Sequence, residues 1–131
     1  MSEPKLPRPT DSELGILQVL WERGPFTVRD VHEALNKGAE GTGYTTVLKL
    51  MQIMTEKGLV ERDESQRAHV YRTRATQQKT QRQLVTDLLD RAFGGSPAKL
   101  AMQALSTKKA SAEELAELRQ LLDTLEEEET P

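Results

Sequence analysis

The stretch that decides the fold is residues 41–73, GTGYTTVLKLMQIMTEKGLVERDESQRAHVYRT. After a glycine-containing loop, apolar residues recur at positions 47, 50, 51 and 54, which predicts a helix from Tyr44 or Thr45 to Lys57. Gly58 is the residue type expected in the left-handed position after a helix. Two short runs, 59–63 and 68–73, are separated by the polar residues 64–67, a pattern typical of a β-hairpin with a four-residue loop.

Two more helices are predicted before this stretch. Residues 10–13, TDSE, have the spacing of a capping box, and apolar residues at helical spacing follow as far as Gly24. Thr27 begins a second, shorter helix that ends near Asn36. Three short helices followed by a two-stranded hairpin are the layout of a winged helix-turn-helix, in which the third helix enters the DNA major groove.

Behind the hairpin the pattern changes to long helices, and the predicted fold class is therefore mainly α. Helices are predicted for Gln77–Phe93, after an N-cap at Ser96, and after a capping box that begins at Ser111. We predict three regions: a flexible N-terminal lead at 1–9, a winged-helix DNA-binding domain at 10–75 and a C-terminal helical dimerisation domain at 76–131.

The composition argues against several classes of protein. The chain of 131 residues has no cysteine and two histidines, so we expect no catalytic residue, no metal site, no cofactor and no enzymatic activity. It has no apolar run long enough to cross a membrane, and its start lacks the apolar stretch of a signal peptide, so we expect a cytoplasmic protein without membrane insertion. The net charge of −3 divides into +2 for residues 1–82 and −5 for residues 83–131, which leaves the first part compatible with DNA.

Hydroxyl and basic side chains at the start of the third helix and in the hairpin are the candidate DNA contacts. Threonine suits a recognition helix because its hydroxyl can bond to a base edge and its methyl can contact a thymine methyl. Two alternatives stay open: Thr45 or Thr46 only caps the helix, and the charges of the hairpin are only solvated. The residues predicted to contact DNA are Thr27, Thr42, Tyr44, Thr45, Thr46, Lys49, Arg67, His69 and Arg72.

Leucines at heptad spacing near the C-terminus predict a dimer interface. A chain this small cannot bury every leucine row in one monomer, although a monomeric helical bundle is the alternative. Duplex recognition by such domains commonly uses two half-sites, so a homodimer would read a palindromic operator. The predicted dimerisation residues are Leu84, Leu88, Leu115, Leu118, Leu122 and Leu125.

Three segments together resemble the penicillinase-repressor (BlaI/MecI) family: TDSELGILQVLWERGPFTVRDVHEAL, GYTTVLKLMQIMTEKGLVERDESQRAHVYR and SAEELAELRQLL. The resemblance implies a homodimeric winged-helix repressor of transcription that binds a dyad of the TACA/TGTA kind in double-stranded DNA. It also implies relief by a cell-envelope or antibiotic signal, through a membrane sensor metalloprotease that leads to cleavage of the repressor.

The chain departs from the family pattern at two places. Staphylococcal members are cut at an Asn-Phe bond, and the matching pair here is Gln103-Ala104. The paired cysteines of the copper-responsive relatives are missing. Two other functions remain as alternatives at this point: a winged-helix module that binds proteins, and a one-component regulator that binds a small effector.

Overall fold

The structure is a computed structural model that describes residues 7–36 and 41–129. The described residues form six helices and three short strands. Their order is α1 (Asp11–Arg23), β1 (Phe26–Thr27), α2 (Val28–Leu35), α3 (Tyr44–Lys57), β2 (Val60–Asp63), β3 (Val70–Thr73), α4 (Gln77–Ala92), α5 (Pro97–Thr107) and α6 (Ala112–Glu129). Most of the flexible lead predicted for residues 1–9 lies outside the described residues.

The first two helices begin at reciprocal capping boxes, as their sequences predict. At the start of α1 the Glu13 N–H donates to Thr10 Oγ1 at 3.2 Å, and the Thr10 N–H donates to Glu13 Oε1 at 2.9 Å. Thr27 and Asp30 exchange the same two bonds at the start of α2, both at 3.1 Å. Each box satisfies amides that a helix start otherwise leaves without a partner, which stabilises the helix by about 1 kcal/mol.

The three strands form one antiparallel sheet in the order β1-β3-β2. The strand β1 was not predicted, because two residues between a turn and a helix carry no readable alternation. The predicted four-residue hairpin loop is wrong: Asp63 pairs with Val70, so the loop spans residues 64–69. The loop is longer than predicted because it begins with an Asx turn. In this turn the Ser65 N–H donates to Asp63 Oδ1 at 2.9 Å, which draws the chain away from the strand ladder.

One apolar cluster joins the three short helices to the sheet. The helix α3 contributes Val47, Met51 and Met54, each 0% exposed, whereas Leu50 on the predicted stripe is only partly buried. The Trp21 ring packs against this cluster, and its Nε1–H donates to the Ala75 carbonyl at 3.1 Å. The buried residues of the cluster are Ile16, Leu17, Leu20, Val28, Val31, Val47, Met51, Met54, Leu59, Val60 and Tyr71.

A partly buried ion pair connects the start of α1 to the end of α3. Lys57 Nζ lies 2.6 Å from Glu13 Oε1, and the Glu13 side chain is only 2% exposed. Burial by itself raises the pKa of the Glu13 carboxyl, but the hydrogen bonds from Lys57 and Thr10 and the charge of Lys57 hold it below its usual value of 4.5. The pair therefore fixes one end of α3 to the rest of the winged helix.

The chain divides into two compact units, Met1–Thr86 and Asp87–Pro131. The first unit holds the winged helix and the first part of α4, where Thr80 is buried. In the second unit, Gly94 and Gly95 have φ of 56° and 77°, the left-handed values that end α4 where the sequence predicts. None of the described residues 87–129 is buried.

Candidate nucleic-acid interface

The start of α3 decides between two interpretations of its threonines. The N-cap is Gly43, and no side chain makes a capping hydrogen bond there. Tyr44 is the first helical residue, so Thr45 and Thr46 lie inside the first turn and are both exposed. The alternative that one of these threonines only caps the helix is wrong, because the cap position falls before both of them.

Most of the exposed residues of α3 are polar, with Tyr44 and Ile53 as the exceptions. Thr45 and Lys49 are one turn apart on the exposed face, and Gln52 lies another turn along. The buried residues Val47 and Met51 lie on the opposite side of the helix and hold it on the core. The sequence prediction did not include Gln52, although its spacing of seven residues from Thr45 could have identified it.

A concave site of about 400 Å³ lies between the starts of α2 and α3 and the hairpin loop. We call it the wing groove. It brings together four of the predicted DNA contacts, and the other five do not line it: Thr42, Thr45, Thr46, Lys49 and Arg72. The lining residues are Thr27, Val28, Arg29, Tyr44, Leu48, Arg67, Ala68, His69 and Tyr71.

Arg29 is a candidate contact that sequence reasoning missed. It is the second residue of α2, its side chain is exposed, and it lines the wing groove opposite the hairpin loop. A cation at the start of a helix is disfavoured by the helix dipole, so stability does not account for arginine at this position. The sequence shows only a basic residue two positions after the N-cap Thr27, and the fold is needed to place it in the groove.

The arginines of the hairpin differ in their surroundings. Arg72 Nε lies 3.2 Å from Glu61 Oε2 across the two strands, and Arg62 pairs with Glu64. Arg67 has no ion pair among the residues that the structure describes. Exposed ion pairs of this kind contribute at most about 1 kcal/mol, so Glu61 does not prevent Arg72 from turning to another anion.

The turn between α2 and α3 is held by a side-chain amide. Asn36 Nδ2 donates to the His32 carbonyl at 2.8 Å and to the Thr42 carbonyl at 3.1 Å. The His32 and Tyr44 rings meet edge to face, with centroids 5.6 Å apart at 79°. Thr42 is therefore placed in the turn by its main chain, beside the groove residue Tyr44.

The predicted C-terminal sites lie on exposed helices. Gln103 and Ala104 are exposed residues of α5. Leu84 is partly buried, whereas Leu88 on α4 and the four predicted leucines of α6 are exposed, with Leu122 at 58%. Within the described ranges, no group of three or more His, Asp or Glu side chains could hold a metal ion, and no helix is both long and apolar enough to cross a membrane.

A helix with an exposed polar face, a β-hairpin wing and a groove with cations on two sides define the class: this is a winged-helix DNA-binding protein. The family model described as penicillinase repressor matches residues 9–124. The chain therefore belongs to the penicillinase-repressor family.

Individual relatives agree with this assignment. The transcriptional regulator BlaI of Mycobacterium tuberculosis, in two strains, is 33% identical over 123 residues, which cover 93% of this chain and 88% of the relative. The penicillinase repressor of Bacillus licheniformis is 24% identical over 119 residues, which cover 91% of this chain and 92% of the relative.

A solved structure supports the fold. The solution structure of the DNA-binding domain of the repressor BlaI matches with a TM-score of 0.50 at 21% identity, covering 59% of this chain and 93% of that one. The predicted winged-helix fold and family are confirmed. The protein is a DNA-binding transcriptional repressor and not an enzyme. This function replaces the alternative of a winged-helix module that binds only proteins.

Proposed function

We propose that the repressor binds a palindromic operator as a homodimer, with the exposed face of α3 in the major groove and the wing groove against the phosphate backbone. The observation that carries this proposal is the position of the cations. Arg29 and Arg67 line one groove from two different elements, directly beside Tyr44 at the start of α3. Phosphate contacts from two elements beside the start of α3 would set the register of this helix on the duplex.

The base contacts would come from the first turns of α3. Thr45, Thr46 and Lys49 are exposed, and the cap position falls on Gly43, so the two threonine hydroxyls are not needed to begin the helix. A hydroxyl can bond to either kind of base edge, and lysine favours the acceptors of guanine. Gln52 is added to this set because an amide of glutamine can pair with adenine.

The phosphate contacts would come from the wing groove. Arg67 and Arg29 supply the charge, and Thr27 and His69 supply further hydrogen-bonding groups at its lining. Arg72 does not line the groove. Its guanidinium is paired with Glu61, so it would contact DNA only by exchanging this partner for a phosphate. Thr42 contributes through the position of its main chain.

The DNA proposal can be tested with a duplex recovered from a random library by selection with the wild-type chain. We expect Thr46→Glu to abolish binding in fluorescence anisotropy while circular dichroism stays unchanged. Arg67→Ala should weaken all duplexes alike and lower the slope of log affinity against log salt by about 1. Arg91→Ala, an exposed arginine outside the winged helix, is the matched control. Equal effects of Arg67→Ala and Arg91→Ala would contradict the groove assignment.

The dimer proposal rests on the helices of residues 76–131. The described residues of the second unit include no buried side chain, yet its helices expose leucine on α4 and along α6. Burying one leucine side chain stabilises an association by roughly 2 kcal/mol, so a second copy of the same face would offset the cost of assembly. The residues Leu115, Leu118, Leu122 and Leu125 have the spacing of such a seam.

Sedimentation equilibrium of the full chain tests the dimer directly. Leu118→Glu with Leu122→Glu should convert it to monomers, because each change places a charge in the seam. Gln120→Glu adds the same charge two residues away, at the heptad position farthest from the seam, and should leave the dimer intact. A monomeric wild-type chain at micromolar concentration would exclude the proposal.

We also propose that repression is relieved by proteolysis in α5, after a cell-envelope signal reaches a membrane sensor metalloprotease. The proposal places the repressor in the cytoplasm, because the operator DNA lies there. The Thr107 hydroxyl donates to the Gln103 carbonyl at 2.6 Å within the helix. The helix α5 must therefore open before a protease can cut the peptide bond between Gln103 and Ala104. The helix has no buried residue to resist such opening.

Mass spectrometry of the chain isolated from antibiotic-treated cells tests the cleavage. A fragment that ends at Gln103 is expected only in treated cells that carry the sensor. A chain that remains intact while its target genes are induced would refute proteolytic relief.

A further inference from the structure

The end of α2 and the residue before the N-cap of α3 are joined by one side chain. Asn36 is the residue that follows α2, and its Nδ2 reaches back to the His32 carbonyl at 2.8 Å and across to the Thr42 carbonyl at 3.1 Å. The second bond spans six residues and joins the end of α2 to the residue just before the N-cap of α3. A single amide group therefore holds both sides of the turn.

The surroundings of this amide leave little freedom. A Cβ on Gly41 would overlap Asn36 Oδ1, so the backbone of residue 41 lies directly against the side chain. Asn36 Oδ1 itself is buried and has no hydrogen-bond partner among the described residues. A buried acceptor without a partner costs free energy, so this orientation of the amide carries a local penalty.

We propose that Asn36 is a positioning residue for sequence discrimination: by holding the Thr42 carbonyl, it sets where α3 begins and how its first turn meets the base edges. This role rests on the proposed reading of DNA by α3. Asn36 itself would not touch DNA. Its contribution is preorganisation, because an end of α2 and a start of α3 that are already joined in the free protein need not be brought together when DNA binds.

The chemistry of the site explains why asparagine is suited to it. Two carbonyl oxygens must be bound from one point, and an amide nitrogen carries two N–H donors. Aspartate has the same shape but would place a carboxylate oxygen against both carbonyls. Alanine removes the donors and also leaves space beside Gly41. The pair of variants therefore separates hydrogen bonding from filling of space.

The test uses the full chain, the duplex selected by the wild-type protein, and a random duplex of equal length. We expect Asn36→Ala to weaken binding to the selected duplex roughly tenfold, equivalent to about 1.4 kcal/mol. Asn36→Asp should weaken it at least as much. Binding to the random duplex and the salt slope should stay within about twofold of wild type, because the phosphate contacts are unchanged. Gly41→Ala, which displaces the same amide, should reproduce the loss without changing Asn36.

Thr55→Val is the matched control. It removes one bond from a side chain to a main-chain carbonyl in α3, that of Thr55 Oγ1 to Met51 at 2.8 Å, away from the reading end. It should lower stability slightly and leave discrimination between the two duplexes unchanged.

Three results would overturn the inference. If the variants of Asn36 and Gly41 bind the selected duplex as well as wild type, the positioning role of Asn36 is refuted, whereas the proposed reading of DNA by α3 is not affected. Equal losses on both duplexes would show a purely structural role. A wild-type chain that enriches no duplex would refute the reading by α3, and the positioning role with it. Should Asn36→Asp fail to fold, Asn36→Ala and Gly41→Ala decide the question.

Discussion

Removing Lys57 should destabilise the winged helix more than removing the charge of Glu13. The two side chains form an ion pair of 2.6 Å between the end of α3 and the start of α1, with Glu13 2% and Lys57 33% exposed. Lys57→Met leaves a buried carboxylate with Thr10 as its remaining hydrogen-bond partner. Glu13→Gln leaves an uncharged group, whose oxygen can still accept from Thr10, and a lysine that water can reach.

The expected loss of stability follows from two opposing contributions, the attraction between the two charges and the cost of burying the carboxylate. Two unit charges about 3 Å apart attract by roughly 5 kcal/mol at an effective dielectric constant of about 20. Burying the carboxylate costs several kcal/mol, so the net contribution of the intact pair is small. Without Lys57 that cost remains, and we expect Lys57→Met to lose about 3 kcal/mol, the lower end for buried pairs because the lysine is partly exposed. Glu13→Gln should lose about 1 kcal/mol.

Urea unfolding of both variants and of the double variant measures these values. Trp21 is the only tryptophan and packs against the core of the winged helix, so its fluorescence reports on that unit. The double variant should reveal a coupling free energy of about 1–2 kcal/mol between the two residues. A larger loss of unfolding free energy for Glu13→Gln than for Lys57→Met would refute the argument. It would mean that burying the carboxylate without Lys57 costs little free energy.

The same pair predicts a dependence on pH. The pKa of Glu13 is lower in the folded protein than its usual value of 4.5. Its contribution to stability is therefore complete above that usual value and is lost as the pH falls through the folded pKa. The difference in unfolding free energy between wild type and Glu13→Gln should shrink below about pH 4. A difference that stays constant down to pH 2 would contradict the assigned pKa direction.

Three further predictions concern the stability of the winged-helix unit. Met51→Ala should destabilise by about 3 kcal/mol because the side chain is fully buried, whereas the exposed Gln52→Ala should change stability by less than about 0.5 kcal/mol in urea unfolding. Trp21→Phe should cost about 1 kcal/mol by removing the donor to the Ala75 carbonyl, measured by circular dichroism. Gly58→Ala should cost roughly 1 kcal/mol in thermal unfolding, because its left-handed φ of 85° is unfavourable for alanine; an unchanged midpoint would contradict this.

Signals that lie within a few residues predicted most of the fold. The capping boxes at Thr10, Thr27 and Ser111 each span four residues, and all three are present. The glycine at position 58 and the pair at 94–95 end helices where expected. Such features are set by local hydrogen bonds and backbone sterics, so the sequence alone is enough to identify them.

Features that join distant parts of the chain were not predictable in this way. The pairing of Phe26 with Tyr71 makes a strand only because β3 is present, and Glu13 meets Lys57 across 44 residues. Arg29 becomes a candidate contact only when the wing lies opposite the start of α2. The cap at Gly43 directly follows Thr42, whose carbonyl is bound by Asn36 from the end of α2.

The two compact units differ in what stabilises them, and this difference bears on regulation. The winged helix has its own buried core, so its DNA-binding surface can persist in a single chain. The described helices of the second unit have no buried side chain, so under the dimer proposal their order would depend on the concentration of chains. Affinity for an operator with two half-sites would then depend on the link between two winged helices, since two linked modules bind far more tightly than one. Cutting or separating the second unit would therefore weaken repression steeply without altering any contact between α3 and DNA.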